Sequence, residues 1–169
     1  MKLLIPHIEI VDICKTLGQK INQDYNGKNP VLICVLKGAA PFHAELIKHI
    51  DTDMEVDYLQ VSSYKGTEST GVITFKKDID IDISGREVLI VEDLVDSGRT
   101  LAKLHKLFLT RGAKSVEIVT LLDKACKRVV PVDVKYVGKV IDDLFVVGFG
   151  MDLDEKYRNL KDIFIYNED

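Results

Sequence analysis

The stretch VLIVEDLVDSGRTL, residues 88–101, sets two adjacent carboxylates beside a short polar turn. Glu92 and Asp93 close an apolar run, and Asp96, Ser97, Gly98, Arg99 and Thr100 follow before the next apolar stretch. Gly98 permits backbone angles that other residues resist, so the turn can aim successive N–H groups at one point. Those groups stand at the start of a predicted helix, where the dipole also favours an anion. Ser97 and Thr100 add hydroxyl donors, which suits the turn to a phosphate monoester. Carboxylates only accept hydrogen bonds, so Glu92 and Asp93 suit the vicinal hydroxyls of a ribose and would repel a second phosphate. Together the pieces describe a ribose 5-phosphate site. Taken singly, each is an ordinary acidic strand end or helix cap. A Walker loop, GxxxxGK[ST], is absent.

Such a site needs a strand to deliver the acids and a helix to receive the turn. VLIV (88–91) reads as a buried strand and roughly 100–111 as the helix. The run VLICVL (31–36) is continuous and β-branched, as a buried parallel strand should be. Ile10, Cys14, Leu17 and Ile21 recur at helical spacing within 7–25, and a second helix is expected from about 40 to 50 with Pro41 in its first turn. Met54, Val56 and Tyr58 alternate with acidic residues, which predicts a half-buried strand reaching about Ser62. YKGTESTG (64–71) reads as a mobile loop and GVITF as a returning strand, with later strands at 115–122, 134–137, 145–149 and 163–166. Strands alternating with helices predict an α/β fold with a mainly parallel central sheet flanked by helices. Its ligands belong at the carboxyl ends of the strands.

The 169 residues suffice for a single domain, expected to span 1–169, and 46% hydrophobic with 30% charged residues is an ordinary globular balance. A net charge of −4 argues against nucleic acid or an anionic membrane as partner. Cys14, Cys34 and Cys126 are scattered, which excludes a disulfide framework and a thiolate zinc site and fits a reducing compartment. The opening MKLLIPHIEI is too short an apolar run for a signal peptide, and no apolar stretch is long enough for a membrane helix. A soluble, cytoplasmic protein is expected.

VLIVEDLVDSGRTL resembles the phosphoribosyl pyrophosphate signature of the type I phosphoribosyltransferases, and most closely that of the hypoxanthine–guanine branch. LKGAAPF (36–42), SSYKGTESTG (62–71), LLDK (121–124) and DLFVVGFGMDLDEKYRNL (143–160) align in order with further segments of that family. The resemblance implies a core over roughly 25–140 and a small hood built from the N-terminal residues and roughly 140–169. It implies transfer of a phosphoribosyl group to a 6-oxopurine, with pyrophosphate released and Mg²⁺ as cofactor. In that pattern Asp96 is the general base at N7 of the purine, within the phosphate turn Asp96–Thr100. Glu92 and Asp93 read the ribose, and Lys37, Gly38 and Arg158 hold pyrophosphate. Lys124 donates to the purine O6, Phe145 stacks on the base, the Val146 backbone reads its edge, and Asp152 lies beside it. Glu92, Asp93 and Asp152 serve the metal, and Ser63 and Tyr64 open a lid over the site. The Leu36–Lys37 peptide is expected to be cis, and assembly as a homodimer or homotetramer is expected.

An ammonium only donates, so Lys124 would accept a 6-oxo group and reject the 6-amino group of adenine. Without the resemblance Lys124 reads as a solvated lysine and FVVGF as a plain core strand. Ala125 and Cys126 stand where family members often carry a proline, Ala39 and Ala40 follow Gly38 where small residues, often glycine, are usual, and Arg99 fills a variable position. The ranking of hypoxanthine, guanine and xanthine therefore stays open. Two alternatives remain: transfer to another base, and a regulatory nucleotide sensor of this fold that binds RNA. DIDID (78–82) lacks the glycine and glutamate of a calcium loop and reads as a solvated acidic edge. Cys126, beside Lys127 and Arg128, reads as a bystander thiol.

Overall fold

The apolar runs become interior strands because both of their faces are covered. A computed structural model describes residues 1–62 and 73–167. In chain order the elements are β1 (Lys2–Ile5), α1 (His7–Tyr25), β2 (Val31–Val35), α2 (Ala40–Leu46), β3 (Glu55–Val61) and β4 (Phe75–Lys77). They continue with β5 (Glu87–Val95), α3 (Arg99–Thr110), β6 (Ser115–Asp123), β7 (Tyr136–Val140), β8 (Val146–Val147) and β9 (Ile163–Ile165).

A six-stranded sheet runs β4-β3-β2-β5-β6-β7. Its five neighbouring pairs are parallel except β3 with the edge strand β4. Alternate residues serve opposite faces. Leu32, Leu89 and Val119 pack with Ile10, Cys14, Leu17 and Phe42 of α1 and α2, while Ile33, Ile90 and Ile118 pack with Leu101, Leu104 and Phe108 of α3. Two-sided burial explains why these strands are continuous rather than alternating in sequence. Burial pushes the thiols of Cys14 and Cys34 up to about 12, which keeps both neutral packing groups.

The two chain ends meet in a second, antiparallel sheet, β1-β9-β8. Ile5, Val146 and Ile163 send their side chains into the core shared with α1, and His7 N–H donates to Asp162 Oδ1 at 2.7 Å. The segment after β8 reaches the loop after β2, where Gly150 lies against Gly38.

Several expectations change. In β3 the register is the reverse of the one predicted: Val56 and Tyr58 are exposed at 38% and 37%, whereas Asp57 is buried at 5%. Asp57 turns inward because its Oδ2 accepts the N–H groups of Asp80 and Ile81 at 2.7 and 2.8 Å, tying the 78–82 segment to the sheet. That segment is accordingly more than a solvated edge. Asp78 receives two bonds from Arg111 at 2.8 and 2.7 Å, and Ile79 and Ile81 pack on the α3 core. The helix expected to 50 closes as a 3₁₀ turn over 47–49. The strands expected at 134–137 and 145–149 are Tyr136–Val140 and Val146–Val147. β1 is an added strand with no alternation to read in sequence, because its first residues are exposed.

Candidate functional site

β5 outruns the expected strand. It passes through Glu92 and Asp93 and ends at Val95, paired along its length with β6. The two acids therefore sit on rigid sheet rather than in a loop. Glu92 Oε1 accepts the N–H of Asp93 at 3.0 Å, and Asp93 Oδ1 accepts that of Leu94 at 2.8 Å. Both carboxyls are half-buried. Loss of solvent pushes both above the ordinary carboxylate range, the charge of Asp93 raises Glu92 further, and the Arg158 guanidinium draws Asp93 partly back. A carboxyl pair in that state calls for hydroxyl donors or a cation.

The loop after β2 lies against this pair. A Cβ on Gly38 would fall 2.0 Å from Asp93 Oδ2, so only glycine fits there. The Leu36–Lys37 peptide preceding it is cis, as expected. From the other side, a Cβ on Gly150 would fall 2.0 Å from the Gly38 carbonyl oxygen. Asp93, Gly38 and Gly150 thus stack backbone on side chain across three separate segments.

Beyond β5, Gly98 takes φ 80 and ψ −4 and opens α3 with no side-chain cap. The first N–H groups of a helix lack intrahelical acceptors, so this end offers donors to an anion. Arg99 N–H donates to Ser97 Oγ at 3.4 Å. The segment after β6 braces the turn from behind. Val129 and Val130 donate to the Ser97 carbonyl at 3.0 and 3.1 Å. Arg128 donates to the Asp96 carbonyl at 2.8 Å and pairs with the buried Asp123. The Asp96 side chain itself is exposed. Nothing in the sequence beyond the basic cluster 127–128 marked Arg128 as a brace.

Lys124, at the end of β6, is 6% exposed and so is not the solvated lysine its sequence context suggests. Its N–H donates to the Val95 carbonyl at 2.9 Å, and its Nζ lies 4.0 Å from Asp143 Oδ1. Asp143 Oδ2 is engaged by Lys127 at 2.9 Å. Phe145 is half-exposed and meets Tyr166 edge-on, with ring centroids 6.0 Å apart at 72°. Val146, next to it, is buried and pairs with Ile165. A half-exposed aromatic ring and a buried ammonium are the side-chain types that suit a flat heterocycle with an acceptor substituent.

Arg158 donates to the Gly150 carbonyl at 2.7 Å and pairs with Asp152 at 3.0 Å and Glu155 at 3.3 Å. Lys37 Nζ pairs with Glu155 Oε2 at 2.9 Å. Lys37, Gly38 and Arg158 are thereby brought together, with Glu155, which the sequence did not single out. Among the described residues no three His, Cys, Asp or Glu side chains converge on one point. Asp152 is turned to Arg158 and to the N–H of Glu155. Hard oxygen donors in pairs still fit a divalent cation that takes its remaining ligands from water and substrate oxygens. Ser63 and Tyr64, the expected lid, lie outside the described residues.

Residues 5–155 match the profile of the phosphoribosyl transferase domain. A hypoxanthine-guanine phosphoribosyltransferase of Streptococcus thermophilus is 51% identical over 169 residues, covering 99% of this chain and 94% of that protein. One of Streptococcus pneumoniae is 50% identical over the same shares. The crystal structure of a hypoxanthine phosphoribosyltransferase from Staphylococcus aureus superposes with a TM-score of 0.94 at 46% identity, covering 98% of this chain and 91% of that one.

Proposed function

The chain belongs to the phosphoribosyl transferase family, and we propose that it is a purine-salvage transferase that joins hypoxanthine or guanine, through N9, to C1 of phosphoribosyl pyrophosphate. The products are inosine or guanosine monophosphate and pyrophosphate. What supports this reading is that the half-buried Glu92–Asp93 pair, the Gly98 turn and the buried Lys124 all lie at or just beyond the carboxyl ends of the neighbouring strands β5 and β6. Each answers one part of the reactants: ribose hydroxyls, 5-phosphate and purine O6.

The 5-phosphate is received by the N–H groups of the turn and the hydroxyls of Ser97 and Thr100, with Arg99 at its rim. Glu92 and Asp93 accept from the ribose hydroxyls. Lys37, Gly38 and Arg158 receive the pyrophosphate, the guanidinium offering a fork of donors to its oxygens. The purine lies on Phe145 with Val146 at its edge, and Lys124 donates to O6. Because C1 gains positive charge as pyrophosphate departs, the two acids beside the ribose also stabilise the transition state. Asp96 accepts the N7 proton as the N9–C1 bond forms, so the positive charge gained by the base is discharged locally.

Mg²⁺ is the divalent ion that suits these oxygen donors, and when bound it supplies charge neutralisation on the leaving pyrophosphate. Glu92 and Asp93 would hold it through water or the ribose oxygens, with Asp152 at the pyrophosphate side. The same reading places the enzyme in the cytoplasm as a homodimer or homotetramer.

The test is pyrophosphate release from phosphoribosyl pyrophosphate. It should require both a 6-oxopurine and Mg²⁺. Release that proceeds equally without purine, or without the metal, would remove the transfer or the cofactor assignment respectively.

A further inference from the structure

The two cations assigned to pyrophosphate are already engaged by an anion of the chain. Glu155 directs one carboxylate oxygen to each: Oε2 lies 2.9 Å from Lys37 Nζ, and Oε1 lies 3.3 Å from Arg158 Nη2. Lys37 and Glu155 are 118 positions apart in sequence, so the bridge joins the loop after β2 to the turn that follows β8. One oxygen per cation is the arrangement that oxygens of a phosphoryl group would take between the same two side chains.

Asp152 does not share this role. Its Oδ2 accepts the Glu155 N–H at 2.9 Å and its Oδ1 pairs with Arg158, and its side chain is 30% exposed against 64% for Glu155. Asp152 is the fixed partner of Arg158 and Glu155 the displaceable one. The backbone beneath it is strained: Asp154, Glu155 and Tyr157 take φ of 50, 64 and 74, a region that side-chain-bearing residues rarely adopt. Such strain persists where surrounding structure enforces it and gathers at ligand clamps. The proximity of Lys37, and then of Arg158, holds the Glu155 carboxyl below its ordinary range, which keeps it an anion throughout the neutral range.

We propose that Glu155 is a resident stand-in for pyrophosphate: its carboxylate bridges Lys37 and Arg158 in the free enzyme, yields to the pyrophosphate group on binding, and returns as pyrophosphate leaves. The inference rests on the assignment of Lys37 and Arg158 to pyrophosphate made above. Its consequence is kinetic as well as energetic. The cations are never left bare, so the subsite holds its geometry between turnovers. Every pyrophosphate must also displace a tethered competitor, which weakens its hold and speeds its departure. Glu155 is in this sense a positioning residue and sets how tightly the product is retained.

Glu155→Gln keeps the shape and removes the charge. Exposed ion pairs of this kind are worth little individually, so the variant should bind magnesium pyrophosphate about 2–5-fold tighter by isothermal titration. Pyrophosphate should inhibit the forward reaction at correspondingly lower concentration, with KM for the purine unchanged. Glu155→Asp, which restores the charge, should return toward the wild-type value. A purely structural Glu155 moves the readout the other way: weaker pyrophosphate binding and a lower Tm. Unchanged or weaker binding in Glu155→Gln, in an enzyme whose wild type is active, overturns the stand-in role alone. A wild-type protein that neither binds pyrophosphate nor forms nucleotide overturns the subsite assignment together with it.

Discussion

At the scale of single residues, the chemistry divides between groups that the sequence pattern exposes and groups that only the fold brings in. Asp96 follows two acids and precedes a glycine turn, an order that marks it. Its substitution by Asn should lower kcat by about 10²–10⁴-fold, the usual contribution of a positioned proton acceptor, with the KM for phosphoribosyl pyrophosphate little changed. Unaltered turnover would remove it from proton transfer. Lys124 is marked only by resemblance, since a lysine after a strand is ordinarily solvated, yet here it is buried. Lys124→Met should cost kcat/KM for hypoxanthine about 10–150-fold, the value of about 1.5–3 kcal/mol for one charge-assisted hydrogen bond. Glu92 and Asp93 are held above the ordinary carboxylate range by burial. Protons are therefore bound more tightly folded than unfolded, and the stability contributed by the neutral pair at acid pH is lost as pH rises through the raised values. Glu92→Gln should accordingly raise the Tm of the ligand-free protein at pH 7, by roughly 2–4 °C for each 1 kcal/mol relieved, while weakening donor binding. A Tm that falls instead would show that Glu92 stabilises the free fold. Arg128 and Glu155 escaped the sequence because their roles depend on partners far along the chain, Asp96 and Lys37, that no local spacing reveals.

At the scale of elements, continuous apolar runs make both strand and burial legible, whereas the half-buried β3 is legible as a strand but not in which residues face inward. β2 and β6, and the apolar start of β5, announce themselves because both faces are covered by helices, so nearly every residue is apolar. β3 misled because alternation gives a period but not which phase points inward, and here Asp57 is turned in by the backbone of the 78–82 segment. β1 was too short to show a period. The glycines at the loop after β2 and the turn after β8 reflect close approach. Gly38→Ala would place a methyl 2.0 Å from Asp93 Oδ2, so it should abolish most activity by displacing the loop or the acid while circular dichroism stays unchanged. Activity near wild type would mean that this contact is readily relieved. α2 carries a further consequence. His43 is buried against Tyr58, and burial lowers its pKa to about 4, so its neutral form is favoured on folding. Its stabilising share is complete above an unfolded value near 6.5 and is lost as pH falls toward 4. The difference in unfolding free energy between wild type and His43→Leu should shrink in the protein's disfavour across that window, and a difference independent of pH would contradict burial of the neutral ring.

At the scale of the molecule, the proposed function draws on both sheets: Glu92, Asp93, Asp96, the Gly98 turn and Lys124 lie at or just beyond the ends of β5 and β6, and Phe145, Val146 and Arg158 come from the segment around the small sheet. The measurement that tests the account most directly is nucleotide formation from phosphoribosyl pyrophosphate and Mg²⁺ with hypoxanthine, guanine, xanthine, adenine and uracil offered in parallel. The account predicts turnover of 6-oxopurines and none of adenine or uracil, because the Lys124 ammonium donates to O6 and meets only a donor on adenine. Turnover of adenine or uracil would contradict the base site while leaving the donor site intact. Retained binding of phosphoribosyl pyrophosphate with no turnover of any base would contradict the transfer reaction itself.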